Sequence, residues 1–165
     1  MRKLLAALFA LAFMASASPA HASTYEPCKW NASRVGVHVR SGVATSWQVR
    51  GAIATWNDEH TNAPHLYLTS NIGAPVVVSI GGLGSLNGQT VYTCGVGWGT
   101  HMHVTLNPYR RLAPWERANV TRHEFGHVLG LGHRYSGSTI MRPLLVHDTF
   151  YPTTSDVLNL NRLYR

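Results

Sequence analysis

The feature that most constrains this 165-residue chain is the run His123-Glu124-Phe125-Gly126-His127-Val128-Leu129-Gly130-Leu131-Gly132-His133. Two histidines four residues apart on a helix lie on one face, so both imidazoles can reach a single ion. Zinc accepts neutral imidazole nitrogen, and catalytic zinc sites keep one coordination position open. Glu124, one residue on, sits about 100° round the helix. There its carboxylate can reach zinc-bound water without having to be a ligand itself. His133 lies six residues beyond His127, and a continued helix would carry it away from the ion. Gly130 supplies the break, because glycine takes the positive φ that ends a helix and turns the chain back. His123, His127 and His133 are therefore the candidate metal ligands, Glu124 the candidate catalytic residue, and one Zn2+ the expected cofactor. The competing reading, a helix with surface histidines, leaves three of the chain's ten histidines unexplained.

The flanking sequence predicts the elements that carry this segment. Val35, Val37 and Val39 alternate within Arg34 to Arg40, as in a half-buried strand. From Val43 to Glu59 apolar residues recur near helical spacing, and Asn62-Ala63-Pro64 closes that helix. Leu66 to Ser70 and Pro75 to Ile80 read as strands, the second a continuous apolar run suited to the middle of a sheet. Gly81 to Thr100 is dense in glycine, with one strand at Thr90 to Cys94. Met102, Val104 and Leu106 alternate again before Asn107-Pro108 stops the strand. Pro114 opens a helix that runs through Val120 to Leu129 and ends at Gly130. After Pro152, Thr154 or Ser155 caps a last helix with Val157, Leu160 and Leu163 on one face. Strands and a helix, then mostly helix, describe an α+β fold in a single domain.

Composition excludes several alternatives. With 45% hydrophobic and 13% charged residues, the chain can build a core and does not have a disordered composition. No apolar run approaches the roughly 20 residues of a membrane helix. Arg2 and Lys3, the apolar run Leu4 to Ala15 and Ala20-His21-Ala22 describe a secretory signal peptide over residues 1–22. The protein is thus expected to be extracellular, with residues 23–165 as its one folded domain. In an exported chain the two cysteines, Cys28 and Cys94, most simply form one disulfide; two free thiols or a zinc-binding cysteine are the alternatives. The net charge is +7, yet the arginines are scattered apart from Arg110-Arg111, and no basic stripe interleaves with aromatics, which argues against nucleic acid as a partner. A monomer with no membrane partner is expected.

Beyond the histidine run, Ser138-Thr139-Ile140-Met141-Arg142-Pro143 holds a methionine eight residues past His133. Together the two segments resemble the metzincin metalloproteases, with their His-Glu-x-x-His-x-x-Gly-x-x-His signature and Met-turn. They are most like the matrixins, the matrix metalloproteinase group and its bacterial relatives. Leu106-Asn107-Pro108, Trp56-Asn57, and Asp156-Val157 with Leu163-Tyr164 extend the resemblance over most of the chain. It implies a zincin-like fold, a twisted mixed sheet with three helices and an active-site cleft. It also implies that Met141 floors the zinc site. Asp156 either hydrogen-bonds the Met-turn backbone, as the matrixin acid does, or caps its own helix. Some positions depart from the pattern. Arg134 follows the third histidine where matrixins have Ser, and no Tyr lies two residues after Met141, unlike the astacins and serralysins. No Asp or Glu occurs from His60 to Trp115, so matrixin-type calcium sites, which need carboxylates, are not expected. His101 and His103 share a strand face and could bind a metal, but a solvated edge is the plainer reading. No propeptide domain is expected, and for Cys28 pairing with Cys94 is a simpler account than a thiolate switch on the zinc.

The resulting expectation is a secreted zinc endopeptidase. Glu124 would take the proton of zinc-bound water as the water attacks the scissile carbonyl. An extended peptide or protein substrate would add a strand to the sheet edge, with Thr90 to Cys94 as the candidate edge. Leu144 to Pro152 would wall a pocket for a large apolar side chain just past the scissile bond. Two other classes compete: a zinc hydrolase of a non-protein amide such as a cell-wall peptide, and a non-catalytic binding module on the same fold. Glu124 beside three intact ligands weighs against the second, since a binding module has no need of a base.

Overall fold

A computed structural model describes residues 28–144 and 149–165; the expected signal peptide lies outside them. The element order is β1 (Arg34–Val39), α1 (Val49–Asp58), β2 (His65–Thr69), β3 (Val76–Ile80), β4 (Gly88–Cys94), β5 (Gly99–Leu106), α2 (Pro114–Val128) and α3 (Thr154–Leu163). The strands form one five-stranded sheet in the order β2-β1-β3-β5-β4. Neighbours pair in parallel except β4, which runs antiparallel to β5. This is the mixed sheet and three-helix α+β architecture that the sequence predicts.

Burial explains the strand order. β3 is central, and Val76, Val77, Val78 and Ser79 are all buried, as its unbroken apolar run requires of a strand covered on both faces. In β5, Met102, Val104 and Leu106 are fully buried, while His101 is exposed and His103 half-buried on the opposite face. Asn57 on α1 donates to the Leu66 carbonyl at 2.8 Å and accepts from the Leu66 N–H at 2.9 Å, occupying part of the outer edge of β2. β4 is the other edge strand, and it begins two residues before the predicted Thr90.

Two expected boundaries move. The helix expected from Val43 to Glu59 is regular only from Val49 to Asp58. Before it the chain makes tight turns, with Gly42 at φ 84° and Gln48 at φ 51°, and a left-handed residue cannot continue a right-handed helix. Val43 and Trp47 are still buried; their four-residue spacing reports a shared inward face rather than helix. The cap of α3 is Thr153, not Thr154 or Ser155, because its side chain accepts from the Asp156 N–H while Asp156 accepts in return from the Thr153 N–H.

α2 carries the histidine run, and its C-terminal end is closed on every side. The last four carbonyls of a helix have no partner within it. Here Gly126 and His127 accept from the N–H groups of Leu131 and Gly130 at 3.0 and 2.8 Å. The Trp30 indole N–H reaches Val128 at 2.7 Å, and the Tyr164 hydroxyl reaches Leu129 at 3.1 Å. Tyr164 also accepts from the Trp30 backbone N–H at 3.2 Å, so the first and last described segments meet at this helix terminus. Cys28, two residues before Trp30, is joined to Cys94 at the end of β4, with their Cα atoms 5.9 Å apart. The strap from Cys28 to Trp30 thereby links the edge strand to the end of α2.

Burial pushes the Tyr164 hydroxyl up to about 12. Between pH of about 10, where an unfolded tyrosine ionises, and about 12 the folded state keeps a proton that the unfolded state loses. Tyr164 should therefore contribute stability that is complete below pH 10 and declines as pH rises towards 12. Urea unfolding at pH 9 and 11.5 should reveal this decline, and Tyr164→Phe should lose less stability over the same interval than the wild type.

Candidate metal centre

His123 and His127 lie one turn apart on α2, and His133 returns to them through the turn at Gly130. Gly130 has φ 93°, and its N–H and that of Leu131 bond back to His127 and Gly126. These are the two bonds of a Schellman helix end. A Cβ on Gly130 would also lie 2.8 Å from Leu163 Cδ2. The turn has a second effect, because it leaves the Leu131 carbonyl 2.7 Å from His127 Nδ1.

Three imidazole Nε2 atoms converge. The separations are 3.1 Å for His123 to His127, 3.1 Å for His127 to His133 and 3.2 Å for His123 to His133. His123 Nδ1 lies 2.7 Å from the Ile140 carbonyl, and a carbonyl can only accept. Nδ1 of both His123 and His127 therefore carries the proton, and their Nε2 lone pairs face inwards. Burial, followed by the neighbouring His127, holds the His123 imidazole down to about 3, so it is neutral at ordinary pH. Lone pairs directed at one another repel unless a cation stands between them. Tetrahedral zinc with Zn–N of about 2.0–2.1 Å separates its nitrogens by about 3.3–3.4 Å, close to the observed triangle. The donor set fits a zinc ion. Among the described residues it is the one group of three or more His, Cys, Asp or Glu able to hold a metal.

The carbonyl that orients His123 belongs to the Met-turn and is itself fixed. Buried Asp156 accepts from the Thr139 hydroxyl, from the Ile140 N–H at 3.2 Å, and from the Thr153 N–H at 2.9 Å. The two roles weighed for Asp156 are thus both present in one carboxylate. The Arg134 N–H bonds the Met141 carbonyl at 2.9 Å, tying the residue after His133 to the same turn, while the Arg134 guanidinium donates to Ser155. Met141 is fully buried under α2. It fits because Gly126 has no side chain: a Cβ there would come within 2.3 Å of Met141 Sδ.

Glu124 lies on the cavity beside the three histidines. Thr90 on β4 donates to its Oε2 at 2.7 Å, and a Cβ on Gly88 would collide with its Oε1 at 2.7 Å. The edge strand therefore both holds this carboxylate and makes room for it. Sequence reasoning missed Thr90, which is 34 residues away; a small glycine-threonine alternation at the start of an edge strand was the only signal.

The cavity of about 560 Å³ takes in the start of β4, Glu124, the three histidines, Val120, Ile140, Pro143 and Leu144. Of the segment expected to wall it, Leu144 and Thr149 line it, whereas Leu145 and Val146 lie outside the described residues. Phe150 and Tyr151 turn elsewhere. Phe150 packs edge-on against Trp115, with ring centroids 5.5 Å apart, and Tyr151 lies under the Arg122 guanidinium at 4.8 Å. His101 and His103 stand apart from the centre, and His103 Nε2 is 2.8 Å from the Ser79 hydroxyl. Cys28 offers no thiol to the site, being paired with Cys94.

The matrixin family model matches residues 32–165, and the chain belongs to this family of zinc metalloproteases. No curated protein matches the chain.

Gly130→Ala would force a side chain into a left-handed position, at a cost of about 1–2 kcal/mol, and shift the Leu131 carbonyl. Loss of such an orienting partner weakens metal binding by about 10–100-fold. Competition against a zinc chelator should give a drop in that range, and an unchanged affinity would contradict the role assigned to the turn.

Proposed function

We propose that the protein is a secreted zinc-dependent endopeptidase, exported by residues 1–22 and acting through residues 23–165 as one domain without calcium. His123, His127 and His133 would hold the zinc through Nε2. The observation that carries this reading is the inward-facing triangle of imidazole nitrogens at 3.1–3.2 Å beside the Glu124 carboxylate. Bound zinc would supply a Lewis acid that polarises the scissile carbonyl and makes water easier to deprotonate.

The remaining chemistry belongs to the chain. Glu124 takes a proton from the attacking water and returns it to the nitrogen of the leaving amine. The Thr90 hydroxyl orients the carboxylate through Oε2, and Gly88 leaves room for its other oxygen. Met141 and Gly126 keep the floor of the site closely packed, so the histidines are not free to tilt. The substrate would lie extended along β4, the edge strand of the sheet, and add a further strand there. Val120, Pro143 and Leu144 would receive an apolar side chain next to the scissile bond.

The test compares wild type with Glu124→Gln on a quenched-fluorescent peptide library. Removing a general base typically costs about 10²–10⁴-fold, so kcat/KM should fall by that factor while zinc content stays the same. Zinc bound in both proteins with no cleavage by either would overturn the protease reading in favour of a binding module or a narrow amide hydrolase.

A further inference from the structure

Resting on the protease reading, we propose that the cleft selects peptides with acidic side chains close to the scissile bond, with Arg110 and Arg142 as its specificity-determining residues. Both arginines line the cavity that contains Glu124 and the three histidines. Arg110 stands at the start of the edge strand, where its Nε donates to Asn87 Oδ1 at 3.1 Å, one residue before Gly88. Arg142 follows Met141 in the chain, and its Nε and Nη2 donate to the Gly137 carbonyl at 3.3 and 3.0 Å. A peptide bound in this cavity along β4 would come near both guanidinium groups.

The partners of both arginines are neutral oxygens, and each fork has five N–H donors. Among the described residues neither guanidinium meets a carboxylate. The other described acids lie elsewhere, while Glu26 and Asp148 fall outside the described residues. Asp58 and Glu59 end α1, Glu116 holds the N-terminal turn of α2 through the Ala113 N–H, and Asp156 is buried with its own donors. Among the described residues the cavity's acid is Glu124 alone. Two anchored cations that meet no carboxylate among the described residues, in a concave, partly apolar site, favour a ligand that brings carboxylates, because guanidinium and carboxylate form charge-assisted, bidentate pairs. Field focusing in the cleft also raises the local concentration of an anionic peptide. A basic peptide meets repulsion from both arginines.

The experiment varies the substrate before it varies the protein. Quenched peptides of one sequence carry Glu, Gln or Lys at each of the three positions on either side of the scissile bond, and are assayed with the purified zinc-loaded protein. At one position or more, Glu is expected to exceed Gln by about tenfold in kcat/KM and Lys by more, with the advantage shrinking as salt rises from 0.05 to 0.5 M. Arg110→Gln and Arg142→Gln are each expected to lower the Glu-to-Gln ratio by threefold or more. The same labelled peptides are also titrated by fluorescence anisotropy against Glu124→Ala protein, where Glu peptides should bind about tenfold tighter than Gln peptides. Cleavage at equal rates for Glu and Gln at every position overturns the inference and leaves the protease reading intact. If no peptide is cut, the protease reading fails, and the anisotropy ratio decides whether the cleft recognises acidic peptides.

Discussion

Everything at the centre depends on two hydrogen bonds from imidazole Nδ1 to main-chain carbonyls, His123 to Ile140 and His127 to Leu131. They set the tautomers, aim Nε2 inwards and hold the rings against their mutual repulsion. Neither carbonyl belongs to a regular element. Leu131 is presented by the helix end that Gly130 makes, and Ile140 by the Met-turn that Asp156 anchors. The metal centre is therefore built from the two places where the chain leaves regular structure, each held by buried polar partners.

Those partners in turn tie the site to the first and last described segments and to the edge strand. Trp30 and Tyr164 close the last carbonyls of α2, and Cys28 connects that closure to Cys94 at the far end of β4. Near the other end of β4, Gly88 and Thr90 meet Glu124. One edge strand is thus fixed at one end by a disulfide and near the other by the Glu124 carboxylate. That arrangement favours a rigid cleft in which the Glu124 carboxylate and the edge strand keep their relative position.

Much of this was legible in the sequence. The histidine spacing, Gly130 and the alternation of Met102, Val104 and Leu106 encode local geometry, and local geometry is what periodicity reports. The central position of β3 followed from its unbroken valines. The extent of α1 did not follow, because Val43 and Trp47 face inwards whether the chain there is helix or turn, and nothing in Gln48 announces a left-handed residue. Thr90 and Trp30 were also out of reach, since their partners lie 34 and 98 residues away. Asp156 could be narrowed to two roles but not resolved, because a short carboxylate at the start of a helix caps it in either case; only the fold brings the Met-turn within reach of the same oxygens.

The most direct test of the carbonyl-oriented triad is zinc K-edge X-ray absorption on the purified, zinc-loaded protein. The account predicts an innermost shell of nitrogen and oxygen alone at about 2.0–2.1 Å, with outer-shell scattering from three imidazole rings. A sulfur scatterer near 2.3 Å, or fewer than three imidazoles in a folded protein, would contradict it.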